Sequence, residues 1–456
     1  MNSRIGLIGQ NSIEYIELIL KIWNNGDSIA LIDWRTPFET VLHLLDEARV
    51  TTCYIEKSVY QNYSTERPYK VEFLLYNASS HLTQLLPEDI SNQFLPNYTN
   101  KEAVIIYSSG TTGGAKGIIL SHYAINTNAD SIIEYMQPNS TDCMYLVKTI
   151  SHSSTLTGEL LVALKSKARL LIAPIIVSPK IVFRNIHNYG VSILCINPTL
   201  LKIYNQELKR REYDFSNLKK LYISGDILNF QNIITAQKTF SDVQIYNAYG
   251  LSEAGPRVTV QNEDCKSLSS VGKPLKDIEI QIREPDGKSQ KDCKEGVVWV
   301  KTPSLFSGYV VGQRSYANVV EGWLNTGDIG ILDDNNELHI LGRIDDVIII
   351  DAHKIYPSEV ETAIISTFDI YECVVLDIVY NDKQFLCCLY AADQDYKNMR
   401  TKLSKVLLPY EIPLFFVRGT IPKNKNGKTS RNEAKKYLNL LFIEKLKNEK
   451  KSDFTF

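Results

Sequence analysis

The first 55 residues alternate between short apolar runs and segments whose apolar residues recur at helical spacing. The apolar runs at residues 4–9, 28–32 and 51–55 predict buried strands. Asn11 is the expected N-cap of a first helix, whose apolar face carries Ile13, Ile16, Leu20 and Trp23. Strands and helices in such close alternation predict parallel pairing with right-handed crossovers.

The alternation resumes after residue 100. Residues 57–100 are rich in Tyr, Ser, Asn and Pro and lack periodicity, so we predict a loop-rich connection there. Further apolar runs predict strands at 103–106, 118–120, 168–173, 191–196, 220–224 and 244–247. Helical spacing predicts helices at 121–136, 179–188 and 198–211. The predicted fold class is therefore α/β, with parallel sheets layered with helices in a large amino-terminal domain.

The pattern changes after residue 270, and the last part of the chain, about 110 residues, has the usual size of a small domain. Residues 271–332 form short alternating runs with glycine turns, which predict a small β subdomain. A charged segment at 341–346 then separates two apolar runs, and mixed strands and helices follow it. We predict an amino-terminal domain over residues 1–344 and a small α+β carboxy-terminal domain over residues 345–456.

Composition narrows the class of protein. The chain has 456 residues, 44% hydrophobic and 22% charged, enough for a large core in at least two domains. The net charge of −2, with both signs interspersed, argues against a nucleic acid or an anionic membrane as partner. Eight cysteines without C-x-x-C spacing, no signal peptide and no membrane-length apolar run favour a cytoplasmic protein.

A glycine-rich segment, YSSGTTGGAKG at residues 107–117, lies between two apolar runs. Its glycines allow close approach of the backbone to a ligand, its hydroxyls and N–H groups can donate to phosphate oxygens, and Lys116 adds a positive charge. The common phosphate-loop pattern G-x-x-x-x-G-K-[ST] does not fit, because Ala115 and Gly117 flank the lysine. The segment predicts a polyphosphate site, with a flexible hairpin loop as the alternative.

Three other segments carry candidate chemistry. NAYGLSEAG at 247–255 places an aromatic ring, a hydroxyl and a carboxylate after a predicted strand, where α/β sheets bind ligands, although an exposed turn would also fit. His152 lies in a polar run at 149–157 and is either a site residue or a structural hydrogen-bonding group. Lys428 lies on the glycine-bearing loop PKNKNGKTSR at 422–431.

Together with GWLNTGDIG at 322–330 and GRIDDVIIIDAHKIYPSEVE at 342–361, these segments resemble the motifs of the adenylate-forming (AMP-binding) superfamily. That superfamily includes acyl- and aryl-CoA synthetases, stand-alone adenylation domains of peptide synthetases, and luciferases. Five motifs occur in the family's order between residues 107 and 431. The resemblance implies a large domain that binds ATP and the acid, followed by a small mobile lid. It also implies that this chain is shortened at its amino terminus by a leader segment.

The resemblance assigns roles to individual residues. Lys428 would be catalytic and would bridge the substrate carboxylate and the α-phosphate, Glu253 would bind Mg²⁺, and Asp345 would be the hinge of the lid. ATP or AMP would be bound by Ser109, Gly110, Thr111, Thr112, Gly113, Lys116, Gly225, Asn247, Tyr249, Ser252, Asp328 and Arg343. The acid pocket would be lined by Ser151, His152, Asp226 and Gly250, with His152 also a catalytic candidate.

The implied reaction is the activation of a carboxylic acid by ATP. A carboxylate that attacks a phosphate must overcome like-charge repulsion, which Mg²⁺ and cationic side chains relieve. The acyl-adenylate would then be attacked by a pantetheine thiol, of CoA or of a carrier protein, after the lid rotates. The chain would thus be an AMP-forming acid–thiol ligase with ATP, Mg²⁺ and a pantetheine acceptor.

Four positions depart from the family pattern. Ala115 replaces a proline and Ser252 a threonine, and both changes keep the expected chemistry. Ile349 and Ala352 stand where the family usually has Lys and Gly in the strand used for thioester formation. A glycine allows close approach of the pantetheine arm, so Ala352 bears directly on the second half-reaction.

The run at 149–157 also bears on the substrate. Enzymes for α-amino acids normally carry an Asp there to pair with the ammonium, whereas this chain has Ile150-Ser151-His152-Ser153. Since an unpaired buried ammonium is costly, we expect an aryl or aliphatic acid without an α-amino group. Two alternatives stay open: a stand-alone amino-acid adenylation enzyme, and a degenerate family member that binds nucleotide or acyl ligand without turnover.

Overall fold

The computed structural model of the chain describes residues 3–63, 70–90, 94–110, 114–174, 178–225, 230–284, 294–310, 319–351, 353–380, 383–423 and 429–448. Its strands are β1 (Arg4–Gly9), β2 (Ser28–Asp33), β3 (Thr52–Glu56), β4 (Glu72–Tyr76), β5 (Thr83–Leu85), β6 (Glu102–Gly110), β7 (Gly114–Ser121), β8 (Cys143–Leu146), β9 (Arg169–Ile172), β10 (Ile193–Ile196), β11 (Lys220–Ser224), β12 (Gln244–Tyr249), β13 (Thr259–Gln261), β14 (Lys273–Pro274), β15 (Glu279–Arg283), β16 (Glu295–Lys301), β17 (Gly308–Tyr309), β18 (Val319–Val320), β19 (Trp323–Leu332), β20 (Leu338–Arg343), β21 (Ile348–Ile350), β22 (His353–Ile355), β23 (Glu372–Tyr380), β24 (Lys383–Ala391) and β25 (Phe415–Arg418).

The α-helices are α1 (Ile13–Asn24), α2 (Phe38–Glu47), α3 (Lys57–Tyr60), α4 (Pro87–Ile90), α5 (His122–Met136), α6 (Ser153–Thr155), α7 (Val162–Ser166), α8 (Pro179–Tyr189), α9 (Pro198–Leu208), α10 (Phe230–Thr239), α11 (Pro357–Thr367), α12 (Met399–Leu403) and α13 (Arg431–Asn448). A π-helix covers Leu156–Leu161, and 3₁₀ turns cover Ser252–Ala254, Ile344–Asp346 and Pro409–Glu411. None of the helices in this part of the chain combines the length and apolarity needed to cross a bilayer.

Within the described residues, the first sheet has the order β17-β7-β6-β2-β1-β3-β4. Its centre is parallel, with Leu7 paired to Leu31 and to Tyr54, and the β6–β7 hairpin and β17 extend one edge in antiparallel fashion. Leu7 and Ile8 are fully buried, as expected for a parallel strand covered on both faces. The core on one side of this sheet includes Ile8, Val41, Leu45 and Ile55.

The second sheet has the order β14-β13-β12-β11-β10-β8-β9-β5. Strands β9, β8, β10, β11 and β12 are parallel, while β5, β13 and β14 add antiparallel edges. Its core packs Tyr145, Leu194 and Ile223 against Phe183 of α8 and Leu201 of α9. Because adjacent parallel strands end at the same edge, β11 and β12 bring the segments after Ser224 and Tyr249 to neighbouring positions.

The remaining sheets belong to the last part of the chain. Strands β15, β16, β19 and β18 pair in that order with β20 on β19, β21 and β22 form a hairpin, and β23-β24-β25 form a third sheet. Two hydrophobic cores lie on this last sheet, one including Val375 and Cys388 and the other including Val374 and Leu389. The predicted mixed α/β class with parallel sheets is confirmed.

The chain divides into two compact units. The first comprises Met1–Leu228, Asn232–Thr326 and Leu332–His339, and the second comprises Asn229–Gln231, Gly327–Ile331 and Ile340–Phe456. The domain boundary that we predict between residues 344 and 345 stays a prediction.

One local expectation is wrong, and another is incomplete. The N-cap of α1 is Ser12, whose hydroxyl accepts from the Tyr15 N–H at 3.1 Å, and not Asn11. The connection at residues 57–100, predicted to be loop-rich, also contributes β4 to the first sheet and β5 to the second. Both are edge strands with side chains that are mostly exposed or half-buried, so they lack the apolar run that identifies a central strand.

Candidate active site

The predicted phosphate loop is the tip of the β6–β7 hairpin. Ser108 pairs with Lys116 and Gly110 pairs with Gly114, so the connection shortens to residues 111–113. Thr111, Thr112 and Gly113 lie outside the described residues, as do the side chain of Ser109 and the surroundings of Gly110. Lys116 is half-buried on β7, two residues after the first residue of that strand. The flanking strands therefore form a hairpin, and both the phosphate-binding role and its alternative, a flexible loop, stay predictions.

A third segment, residues 306–310, packs against this hairpin through β17. The Ser307 N–H donates to the Ile119 carbonyl at 2.8 Å, and the Val310 N–H donates to the Gly117 carbonyl at 2.9 Å. A Cβ atom on Gly117 would lie 2.6 Å from Cγ2 of Val310, so this approach requires glycine. The hairpin is thereby fixed to a strand that carries Tyr309.

Tyr309 joins the predicted phosphate lysine to the predicted metal ligand. Its hydroxyl donates to Oε1 of Glu253 at 2.9 Å. Nζ of Lys116 lies 5.8 Å from the centre of the Tyr309 ring, within the range of a cation–π contact. The Phe306 N–H donates to the Glu253 carbonyl at 2.9 Å. Lys116 and Glu253, far apart in sequence, therefore both contact one tyrosine, Lys116 over its ring and Glu253 at its hydroxyl.

Glu253 is held in a 3₁₀ turn that follows β12. Gly250, just before the turn, allows the chain to fold back, since a Cβ atom there would lie 1.9 Å from the Pro256 carbonyl oxygen. Beyond the turn, Asn128 bonds the backbone of Arg257 twice, through its amide nitrogen at 2.9 Å and its amide oxygen at 3.1 Å. The Ser252 and Ser153 hydroxyls lie 2.7 Å apart. This last bond joins the predicted nucleotide motif to the predicted acid pocket.

The polar run of the predicted acid pocket is fixed from its start by Asn11. The Asn11 amide donates to the Lys148 carbonyl at 2.7 Å and accepts from the Ile150 N–H at 2.9 Å. The hydroxyl of Ser151, which is buried, lies 2.9 Å from that of Thr149. The run then enters the π-helix Leu156–Leu161, a rare form that often marks functional sites.

His152 lies beside a carboxylate that the sequence pattern did not reveal. Its Nε2 atom is 4.0 Å from Oδ2 of Asp33, at the carboxyl end of β2. Asp33 already accepts from Nε of Arg35 at 2.8 Å and from Nη2 at 2.5 Å. Burial raises the pKa of Asp33, but the hydrogen bonds and charge of Arg35 outweigh it, so the net shift of that pKa is downward. Asp33 therefore stays ionised and neutralised by Arg35.

A buried group of charges lies behind the polar run. Nζ of Lys148 is 3.0 Å from Oε1 of Glu159, and their side chains are 9% and 1% exposed. Arg257 is the largest fully buried side chain of the described residues; it donates to the Tyr135 hydroxyl, and its guanidinium lies 5.5 Å from the Tyr222 ring centre. Burial raises the pKa of Glu159, although the charges of Lys148 and Arg257 oppose that rise. The positive charges of Lys148 and Arg257 thus both act on the carboxylate of Glu159.

The other first-unit candidates lie at strand ends or within the second sheet. Gly225 follows β11 with a φ of +103° and is exposed, and Tyr249, half-buried, is the last residue of β12. Asn247 is buried within β12, opposite Gln261. Asp226 lies outside the described residues.

In the second unit, Asp328 and Arg343 form an ion pair. Nη1 of Arg343 lies 3.0 Å from Oδ1 of Asp328, which is 8% exposed. The predicted hinge residue Asp345 lies in the 3₁₀ turn Ile344–Asp346. Arg431 ties the neighbouring Asp346 (3.3 Å) to Glu361 (2.9 Å).

Lys428 and Ala352 lie outside the described residues, but the base of the Lys428 loop is described. Lys423 pairs with Thr429 in an isolated bridge, and both side chains bond Glu372, with the Thr429 hydroxyl 2.9 Å from its Oε1.

The donor set around Glu253 fits a magnesium ion held together with phosphate. No cluster of three His, Cys, Asp or Glu side chains occurs among the described residues, so the protein part of the site offers no complete metal cage. Mg²⁺ is commonly bound by one or two carboxylates plus substrate phosphates and waters. With Oε1 of Glu253 bonded to Tyr309, one carboxylate oxygen is left for such an ion.

A sequence model of the family described as "AMP-binding enzyme" matches residues 1–310. The chain belongs to this family. The resemblance inferred from the five motifs is confirmed.

Among curated relatives of this AMP-binding enzyme, a long-chain-fatty-acid–CoA ligase of Yersinia pestis is 26% identical over 358 residues, covering 75% of this chain and 62% of that protein. The chain thus spans about three fifths of that relative's length. A 2-succinylbenzoate–CoA ligase of Bacillus cytotoxicus is 24% identical over 446 residues, covering 95% and 88%. In structure, ATP-bound MatB from Rhodopseudomonas palustris has a TM-score of 0.84 at 19% identity, covering 97% and 90%. The last likeness shows the fold.

Two residues of this AMP-binding enzyme escaped the sequence reasoning. Tyr309 lies on a two-residue strand, too short for any periodic signal, and only the Gly308-Tyr309 pair after a polar stretch could have suggested a turn with a role. Asp33 ends a predicted parallel strand, and strand ends are where such sheets place ligand sites, so its position was a usable signal.

Proposed function

We propose that this chain activates a carboxylic acid with ATP to an acyl-adenylate, releases pyrophosphate, and transfers the acyl group to a pantetheine thiol. The observation that carries the proposal is the meeting of Lys116 and Glu253 on Tyr309. It gives one cation and one carboxylate in a family of AMP-binding enzymes. A cationic side chain and a carboxylate placed together can bind the phosphates and the metal ion of a nucleoside triphosphate.

In this proposal, different residues bind the phosphates, the cation, the adenine, the ribose and the attacking carboxylate. Lys116 and the hairpin tip with Ser109 to Gly113 bind the β- and γ-phosphates, while Glu253 binds the cation. Tyr249 and the backbone at Gly225 receive the adenine, and Asp328, with Arg343 beside it, accepts from the ribose hydroxyls. Mg²⁺, when bound, neutralises charge on the phosphates. Lys428 bridges the attacking carboxylate and the α-phosphate, where negative charge gathers.

The substrate is an aryl or aliphatic acid without an α-amino group. Among the described residues, two carboxylates lie on or beside the polar run at 149–157, but Glu159 is buried against Lys148 and Asp33 is bonded to Arg35. Neither is left to pair with a substrate ammonium, and an unpaired buried ammonium is costly. The named relatives, which act on fatty acids and on 2-succinylbenzoate, support the same choice.

The acceptor is CoA, or the phosphopantetheine of a carrier protein. The names of the curated relatives favour CoA. Residues 345–456 act as the mobile lid, with Asp345 as the hinge, and its rotation separates the two half-reactions. We place the activity in the cytoplasm, where the free thiols of cysteines such as Cys53 and Cys388 persist.

The test is ATP–pyrophosphate exchange with a panel of fatty, aryl and amino acids, followed by thiol transfer with CoA. We expect exchange with at least one fatty or aryl acid and conversion to its CoA thioester. Exchange only with amino acids would overturn the substrate assignment in favour of an amino-acid adenylation enzyme. Nucleotide binding without exchange for any acid would instead identify a non-catalytic member of the family.

A further inference from the structure

Tyr309 contacts both the turn that carries Glu253 and the strand β7 that carries Lys116. Its hydroxyl donates to Oε1 of Glu253 at 2.9 Å. Its ring faces Nζ of Lys116 at 5.8 Å. Its backbone lies in β17, opposite Ile118 of β7. The residue therefore fixes the distance between the hairpin that carries the lysine and the turn that carries the carboxylate.

We propose that Tyr309 is a positioning residue for metal-bound ATP: its hydroxyl orients the Glu253 carboxylate for the cation, and its ring holds Lys116 for the phosphates. This inference rests on the proposed function. A carboxylate on a 3₁₀ turn can rotate about its last two side-chain bonds, and a hydrogen bond to one oxygen removes that freedom. The other oxygen then faces a constant direction, as partners of metal ligands commonly ensure.

The backbone around Tyr309 makes the arrangement rigid. Segment 306–310 is bonded to β7 on one side, through the Ser307 and Val310 N–H groups. On the other side, the Phe306 N–H bonds the carbonyl of Glu253 itself. The hydroxyl thus reaches the carboxylate of a residue whose backbone the same segment already holds. Site residues that are locked by such supports bind their ligands with less loss of entropy.

The decisive variant is Tyr309→Phe, which removes the hydroxyl and keeps the ring over Lys116. ATP affinity of the full chain is measured by calorimetry with Mg²⁺ and, separately, with a chelator. We expect the gain in affinity that Mg²⁺ provides to fall about tenfold, with little change in the chelated sample. Electron paramagnetic resonance of Mn²⁺ with ATP reports the same loss at the metal and does not depend on turnover.

The chain offers a matched control at Tyr98. There, too, a tyrosine hydroxyl donates to a carboxylate, Oδ2 of Asp130 at 2.7 Å, and a lysine, Lys165, lies over the ring at 4.8 Å. Tyr98 lies outside every motif assigned above. Tyr98→Phe should leave both ATP affinities unchanged. If it reproduces the effect of Tyr309→Phe, the loss comes from a general weakening of the fold and the proposal is overturned.

A double-variant cycle tests whether the hydroxyl acts through Glu253. In a Glu253→Gln background, adding Tyr309→Phe should have no further effect on the Mg²⁺-dependent affinity, because its target is already gone. Additive losses would overturn the proposal, as would an unchanged Mg²⁺-dependent affinity in the single variant. If Tyr309→Phe behaves as expected but no acid supports pyrophosphate exchange, the positioning role stands and only the proposed function fails.

Discussion

At the scale of single residues, the buried charges behind the polar run at 149–157 carry a stability prediction. Glu159 lies 3.0 Å from Nζ of Lys148, and the positive charge of Arg257 also acts on its carboxylate. Glu159→Gln leaves both buried cations without it and should reduce the free energy of unfolding by about 3–5 kcal/mol. Lys148→Met should cost about 1–3 kcal/mol, because the remaining carboxylate still interacts with the charge of Arg257 and its pKa is already raised by burial.

Urea unfolding of the purified variants, followed by circular dichroism, compares the two losses. Because the chain has two compact units, urea can unfold it in more than one transition. The free energies compared are those of the transition whose midpoint the substitutions change. Equal losses, or a greater loss for Lys148→Met, would contradict the charge balance inferred here.

His122 provides a second residue-scale prediction, in pH dependence. It begins α5, is buried, and lies edge-on to Trp23 at 5.6 Å. Burial, with the charge of Lys101, lowers the pKa of this imidazole below 6.5. The unfolded chain therefore binds a proton more readily, so stability should fall as the pH drops through about 6.5 and be unaffected by His122 above it.

His122→Gln should flatten that slope. Unfolding free energies between about pH 5.5 and 7.5 measure it, in a range where most carboxylates do not titrate. The control is His81→Gln, at an exposed histidine, which should keep the wild-type slope. A wild-type slope in the His122 variant would show that another group is responsible.

At the scale of elements, the predictable part of the fold is the part that burial dictates. Strand β11 was predicted to the residue, because its apolar run is buried on both faces in a parallel sheet. Strands β4 and β5 were missed because edge strands need no such run. The site shows the same division: the glycine-rich and NAYGLSEAG motifs are visible in sequence, whereas Tyr309 and Asp33 join them only through tertiary contacts.

The turn between β12 and β13 carries the prediction at this scale. In Gly250→Ala, the new Cβ atom would lie 1.9 Å from the Pro256 carbonyl oxygen, a backbone atom that must move. Moving it displaces the turn that holds Glu253. We expect pyrophosphate exchange to fall about 100-fold and the free energy of unfolding to fall by about 1–3 kcal/mol.

The matched substitution is Gly419→Ala, which meets its first neighbour, Cδ1 of Leu389, at 3.2 Å. That atom ends a side chain and can shift, so exchange activity should stay at the wild-type level. Activity of Gly250→Ala equal to that of Gly419→Ala would show that the turn tolerates displacement and that its close packing does not position Glu253.

At the scale of the whole molecule, the candidate residues are divided between the two compact units. Lys116, Glu253 and Tyr309 belong to the first unit, and Asp328 and Arg343 belong to the second. Each unit has its own buried core, with Leu194 in the first and Leu389 in the second. Independent cores allow each unit to stay folded while the linkage between them changes conformation, as a mobile lid requires.

This division predicts that one substitution can separate the half-reactions. In the proposed mechanism Lys428 supplies the positive charge where carboxylate and α-phosphate meet, so we expect Lys428→Ala to lower pyrophosphate exchange by about 100- to 1000-fold. We expect thioester formation from a supplied acyl-adenylate to stay near the wild-type rate, since the proposed rotation of the lid would have withdrawn that lysine by then. Lys425→Ala, in the same loop, removes an equal charge and should affect neither rate.

The comparison between the two half-reactions decides what Lys428 does. A loss confined to pyrophosphate exchange would mean that the lysine acts in the adenylation step and not in thioester formation. This is the result that the proposed rotation of the lid between the two steps requires. Equal losses in both would mean that the loop supports the second unit as a whole, through the hydrogen bonds of Thr429 and Lys423 to Glu372. Unchanged exchange would remove Lys428 from catalysis and leave the charge of the transition state to Lys116 and the cation at Glu253.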